Sequence, residues 1–196
     1  MNTRLYDFLH PIVRAYYRLV WGVRATGMEN MPASGGCVLS SNHIHARDPF
    51  VLATCVHRHL HFMAKAELFE NKLVGGAIRA IGAFPIHRGQ SDLAAVRESM
   101  RLLGEGRVLG IFPQGTRSRE NGQTHMEPGV ALIALRAGVG VVPAYIDGPY
   151  RPFRKTRVVF GSLVTFEDLG RRVDRATLEV ATARIEKAIW SLKEKL

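Results

Sequence analysis

The sequence predicts an α/β fold: a single domain with a mixed, largely parallel sheet flanked by helices, plus an N-terminal amphipathic helical segment. Three observations predict it. Short apolar runs alternate with stretches of helical period from about residue 36 onward. Three of those runs end in polar or basic turns, as at Leu39-Ser40-Ser41-Asn42, Phe84-Pro85-Ile86-His87 and Ile111-Phe112-Pro113-Gln114. No repeat or linker divides the 196 residues, a length that suits one well-buried domain and is short for two. Residues 1–25 are assigned to the helical segment and 26–196 to the α/β domain.

From about Leu5 to Val23 the period is helical, with Leu5, Phe8, Leu9, Ile12, Val13, Tyr16, Leu19, Val20 and Val23 on one side. Pro11 is expected to kink or split it. Tyr6, Tyr16, Tyr17 and Trp21 are amphipathic rings suited to a headgroup boundary, and the flanking arginines suit a helix lying in a membrane surface. A helix packed on its own domain has the same pattern. Gly27 and Met31–Gly36 make a turn-rich entry to a strand at Gly36-Cys37-Val38-Leu39. A helix follows over Pro49–Val56, with Asp48 as N-cap and Pro49 at its first position.

A strand starts at about Leu60. Glu67–Ala80 reads as one or two helices with Gly75-Gly76 as the break. Gly82–His87 is the next strand, and Ser91–Leu103 a helix capped by Ser91 or Asp92. Arg107–Phe112 is a strand, Pro113–Pro128 a long polar loop, and Gly129–Ala137 a short helix feeding a strand at Val141–Ile146. Arg157–Phe160 and Leu163–Phe166 alternate and read as further strands. Asp174 caps a closing helix reaching about Lys193, with Leu178, Ala181, Ile185, Ala188, Ile189 and Leu192 on one side.

The formal net charge is +10, which favours phosphate-bearing ligands, anionic lipid, acidic proteins or nucleic acid. Cys37 and Cys55 lie in apolar runs and read as small buried hydrophobes. No signal-peptide pattern and no run of 18 apolar residues is seen, so no spanning helix is expected.

His43 and Asp48 have four residues between them in the turn after the first strand. On a continuous helix they would diverge, but on a turn they can meet. A carboxylate on one imidazole nitrogen fixes the tautomer and stabilises the imidazolium when the other nitrogen takes a proton. The alternative is that Asp48 only caps the helix and His43 is a loop residue. His57, His59 and His61 alternate without an acidic or cysteine cluster, which favours a solvated loop over a zinc site. No G-x-S-x-G elbow is present.

Taken together, the blocks resemble the glycerolipid acyltransferases, and most closely the bacterial 1-acyl-glycerol-3-phosphate acyltransferases. Asn42-His43 with Asp48 is similar to their first motif, Phe84-Pro85 with Arg88-Gly89 to the second, Phe112-Pro113 with Gly115-Thr116-Arg117-Ser118 to the third, and Val142-Pro143 to the fourth. The likeness spans roughly residues 20 to 160. It implies acyl transfer from a thioester to a hydroxyl by direct attack, with His43 as general base and Asp48 orienting it.

For the acceptor's phosphate, the guanidinium forks of Arg88 and Arg117 are the best candidates, with close backbone approach at Gly89 and Gly115 and a hydroxyl from Thr116. The resemblance associates Lys65 with the same phosphate. Arg47 adds positive potential beside the base. Backbone N–H groups of the motif turns are candidate oxyanion donors. Gln114 stands where the family usually has Glu: it keeps an acceptor oxygen, loses the charge, and puts the acceptor's identity in question.

The implied partners are a lysophospholipid acceptor, an acyl-CoA or acyl-carrier-protein donor and an anionic membrane surface on the cytoplasmic face, with no nucleic acid, metal or cofactor required. Alternatives are another lysolipid or glycerol phosphate as acceptor, a His-ligated zinc hydrolase, and a non-enzymatic basic peripheral protein.

Overall fold

A computed structural model describes residues 3–87, 92–114, 126–148, 150–170 and 172–196. Helix α1 (Thr3–Val20) leads into β1 (Val23–Thr26), β2 (Cys37–Ser41), α2 (Asp48–Cys55) and β3 (Leu60–Lys65). Then come α3 (Lys72–Ala80), β4 (Ala83–Ile86), α4 (Leu93–Gly104), β5 (Val108–Ile111), α5 (Gly129–Ala137), β6 (Val141–Asp147), β7 (Thr156–Phe160) and α6 (Arg175–Ser191).

The strands form one seven-stranded sheet in the order β1-β7-β6-β2-β5-β3-β4. From β6 to β4 all neighbours are parallel; β7 runs antiparallel to β6, and β1 is parallel to β7. The parallel strands β6, β2, β5, β3 and β4 therefore all end at one edge. In open α/β sheets that edge is where ligands bind.

Strand period 2 divides the core into two layers. Val38 of β2 faces one layer with Leu109, Val141 and Tyr145, covered by Leu102 and Leu103 of α4, Val130 and Ala134 of α5, and Ile185 and Ile189 of α6. Leu39, next in sequence, faces the other with Val108, Val142 and Val158, covered by Tyr17 and Trp21 and by Val51, Leu52 and Cys55 of α2. Cys37 and Cys55 are both buried, and burial pushes the Cys55 thiol up to about 12.

Several local expectations are corrected. Helix α1 is not split at Pro11 and stops at Val20. Val23 instead begins β1, a four-residue edge strand paired, among the described residues, only with β7. The break between Glu67 and Ala80 falls at Glu70-Asn71, where the Asn71 side chain accepts from the Leu73 and Val74 N–H groups, and the glycine pair lies inside α3. Gly75 is required there by packing, since a Cβ would sit 2.8 Å from the Phe69 carbonyl oxygen. The 163–166 segment contributes only an isolated bridge, Val164 to Val141. The capping expectations at Asp92 and Asp174 hold: their carboxylates accept from Ala95 and Thr177 N–H.

Candidate active site

The turn between β2 and α2 leaves the sheet at its carboxyl edge, with β6 on one side of β2 and β5 on the other. Asn42 fastens this turn to β6. Its side-chain N–H donates to the Ile146 carbonyl at 3.0 Å and its oxygen accepts from the Ile146 N–H at 2.8 Å. An Asn in this place thus continues the sheet ladder for one more residue, while the backbone turns away.

His43 and Asp48 meet. The His43 Nδ1 and Asp48 Oδ2 atoms are 2.7 Å apart, and Asp48 is fully buried. The same oxygen accepts from the backbone N–H of Ile44 at 2.7 Å and of His45 at 2.8 Å. The expectation that Asp48 caps α2 is therefore corrected. It is the helix's first residue, Arg47 holds the cap position without a side-chain capping bond, and the carboxylate turns back into the preceding turn. The five-residue separation that would carry the pair apart on a helix is closed by a turn whose own N–H groups bind the carboxylate.

The imidazole lies nearly parallel to the Phe112 ring, 4.1 Å between centroids and 20° between planes, and Phe112 in turn stacks on Phe62. The His43 side chain keeps 10% of its surface exposed. With Nδ1 committed to Asp48, Nε2 is the nitrogen left for a substrate proton. Gln114, which follows β5, completes the frame: its Oε1 accepts the His43 backbone N–H at 2.8 Å. Only the amide oxygen can accept, so the donor fixes which way the amide faces. The feature shared by Gln and Glu, an acceptor oxygen, is the one this contact uses.

The N–H groups of His43, Ile44 and His45 are engaged by Gln114 and Asp48. Those three N–H groups are therefore spent within the turn itself and on Gln114. Lys65 ends β3 at the carboxyl edge and forms an exposed ion pair with Glu67 at 2.8 Å. Arg88, Gly89, Gly115, Thr116 and Arg117 lie outside the described residues, as does most of the 113–128 loop.

Two features went unread in the sequence. Tyr150 donates to Asp48 Oδ1 at 2.6 Å from 102 residues away, and its ring stands edge-on to Trp21 and His45. Arg47 lies over the Trp21 ring at 4.4 Å and within 3.1 Å of His45 Nε2. A lone Tyr in a turn rich in Pro and Arg carries no local signal of this. The alternating histidines also separate, which corrects the solvated-loop expectation for His61. His57 is exposed, His59 pairs with Asp7 of α1, and His61 is buried.

Beside the dyad opens an apolar cavity of about 490 Å³. Ala46, inside the dyad's turn, and Pro49, just after it, line it together with Phe62, Leu9, Val13 and Ile78. Its volume falls within the roughly 300–1,000 Å³ of small-molecule sites.

Residues 22–147 match the family described as Acyltransferase. The chain belongs to the acyltransferase family. Among curated relatives of this acyltransferase is the 1-acyl-sn-glycerol-3-phosphate acyltransferase of Bacillus subtilis, 30% identical over 98% of both chains. The protein of the same name from Streptococcus pneumoniae is 32% identical over 68% of this chain and 51% of its own. The crystal structure of the 1-acyl-sn-glycerophosphate (LPA) acyltransferase PlsC from Thermotoga maritima superposes with a TM-score of 0.74, covering 98% of this chain and 83% of that one at 22% identity. That likeness establishes the shared fold, including the N-terminal helix.

Proposed function

We propose that this acyltransferase moves a fatty acyl group from an acyl thioester to the sn-2 hydroxyl of 1-acyl-glycerol-3-phosphate, giving phosphatidic acid. The observation that carries the reading is a His43–Asp48 pair at the carboxyl edge of the sheet beside an apolar cavity large enough for a hydrocarbon chain. Relatives bearing that activity in their names support it.

His43 Nε2 takes the proton of the acceptor hydroxyl as that oxygen attacks the thioester carbonyl. Asp48 holds the ring and stabilises the imidazolium. The carbon–sulfur bond then breaks, and the proton passes from His43 to the departing thiolate. Base assistance of this kind contributes roughly two to four orders of magnitude. The thioester is already activated, so no protein nucleophile is needed. Each methylene placed in the cavity supplies about 0.8 kcal/mol, enough for the chain to orient the ester for attack. Arg88 and Arg117 are proposed for the acceptor's phosphate, with Gly89, Gly115, Thr116 and Lys65 beside them, and the donor is acyl-CoA or acyl-carrier protein.

The site is proposed to work at the cytoplasmic face of the cell membrane. Among the described residues no helix is long and apolar enough to cross a membrane. The exposed residues Phe8, Ile12, Tyr16 and Leu19 lie along one stripe of α1, with Leu73 of α3 also exposed. A basic chain with such a stripe suits an interfacial, peripheral attachment to anionic lipid.

The test is to incubate the protein with a panel of lysolipids, glycerol phosphate and acyl thioesters, and to identify products by mass. Phosphatidate from lysophosphatidate is the expected product. Acylation confined to another acceptor would overturn the assignment.

A further inference from the structure

The geometry points to Tyr150 as a positioning residue that holds Asp48 in register with His43 and tempers the negative charge the imidazole feels. The inference rests on the dyad reading above.

Asp48 is fully buried, and both its oxygens are occupied. Oδ2 takes His43, Ile44 and His45; Oδ1 takes the Tyr150 hydroxyl at 2.6 Å. The Tyr150 hydroxyl thus engages the oxygen that the turn's three donors leave aside. Donors on Oδ2 alone leave the carboxyl group free to pivot about the bond to its Cβ, and a second anchor on Oδ1 removes that freedom. The anchor comes from the segment after β6, remote in sequence from the motif turn, so it ties two elements of the edge together at the dyad.

Burial and the adjoining Asp48 charge push the Tyr150 hydroxyl far above its ordinary range, so it stays protonated and donates. The groups facing it are Asp48 itself, the His45 ring, Tyr17 of α1 and Cys55 of α2, with Arg47 beside His45. Burial keeps Tyr17 and Cys55 protonated well above neutral pH, so neither changes charge there. The Tyr150 ring touches no reacting atom, and its effect passes through Asp48.

Withdrawing the donor concentrates negative charge on the carboxylate. The imidazolium of His43 is then held more strongly, which raises the pH at which the base becomes free. Tyr150→Phe keeps the ring against Trp21 and His45 and removes only the hydroxyl. Expected is a fall in kcat of about tenfold with KM little changed, because the dyad loses alignment in the reacting complex. The acid limb of the kcat/KM profile should also move to higher pH.

A second substitution guards against misfolding. Replacing Tyr150 by 3,5-difluorotyrosine keeps the shape and strengthens the donor, so the acid limb should move to lower pH. Opposite displacements of the limb by the two variants support the assignment. Unchanged kcat and limb position in folded Tyr150→Phe would overturn it, as would a fluorotyrosine enzyme indistinguishable from the parent. If His43→Ala kept its activity, the dyad reading would fail instead, so the two failures are distinguishable.

Discussion

Replacing Gln114 separates what an acceptor oxygen contributes from what a charge contributes. In the structure Oε1 takes the His43 backbone N–H at 2.8 Å, and both residues are buried. Gln114→Leu preserves bulk but deletes the acceptor, leaving that N–H unpaired away from water. An unpaired buried donor costs about 1–3 kcal/mol, so the urea midpoint should fall while the slope stays constant. The same loss frees the His43 backbone to shift. A displacement of about 1 Å at a reacting group costs roughly a hundredfold, so turnover should fall by about 10- to 100-fold. Gln114→Glu keeps the oxygen and adds charge, and its bond to the N–H is stronger. Its turnover on lysophosphatidate should equal or exceed that of the parent. The measurements are urea unfolding and steady-state kinetics on all three proteins. If Leu leaves both quantities unchanged, the bond has no weight. If Glu loses as much turnover on lysophosphatidate as Leu, the chain is tuned to a different acceptor.

His61 should make the fold acid-sensitive. Burial lowers its pKa from 6.5 to about 4, and its Nε2 has no hydrogen-bond partner among the described residues. Above pH 6.5 neither state is protonated there and nothing is lost. Between 6.5 and about 4 the unfolded chain takes a proton that the folded chain refuses, so stability falls, by about 3 kcal/mol across the window. His61→Leu should flatten that decline in urea midpoints measured against pH, and an identical decline would refute the assignment. The apolar cavity should set chain length: Ala64→Phe narrows its wall and should shift preference to shorter thioesters. Each excluded methylene should cost about fourfold in kcat/KM, from about 0.8 kcal/mol per group. A parallel loss across all chain lengths would mean the chain binds elsewhere.

The strands of the parallel sheet were legible because each is a short apolar run ending in a turn, and the dyad was legible because His43 and Asp48 sit on such a turn. What escaped had no local signature. Val23–Thr26 is too short to show alternation and becomes a strand only through β7. The glycine pair at 75–76 reads as a break, yet the helix passes through it because Phe69 needs the space at Gly75. Asp48 has the sequence position of a cap, but three donors in the preceding turn outcompete the helix for its oxygen. The apolar side of α1 reads as one face. Packing divides it: Leu9 and Val13 line the cavity, while Phe8, Ile12, Tyr16 and Leu19 are left outside. Tyr150 is the deepest omission, since only the folded chain brings it to the dyad.

The most direct test compares parent and His43→Ala with lysophosphatidate and a long-chain acyl thioester, following thiol release and phosphatidate together while circular dichroism confirms the fold. The parent should release both products stoichiometrically. The variant should be folded, with a turnover lower by roughly two to four orders of magnitude. A folded His43→Ala enzyme within a few-fold of the parent would show that His43 is not the base.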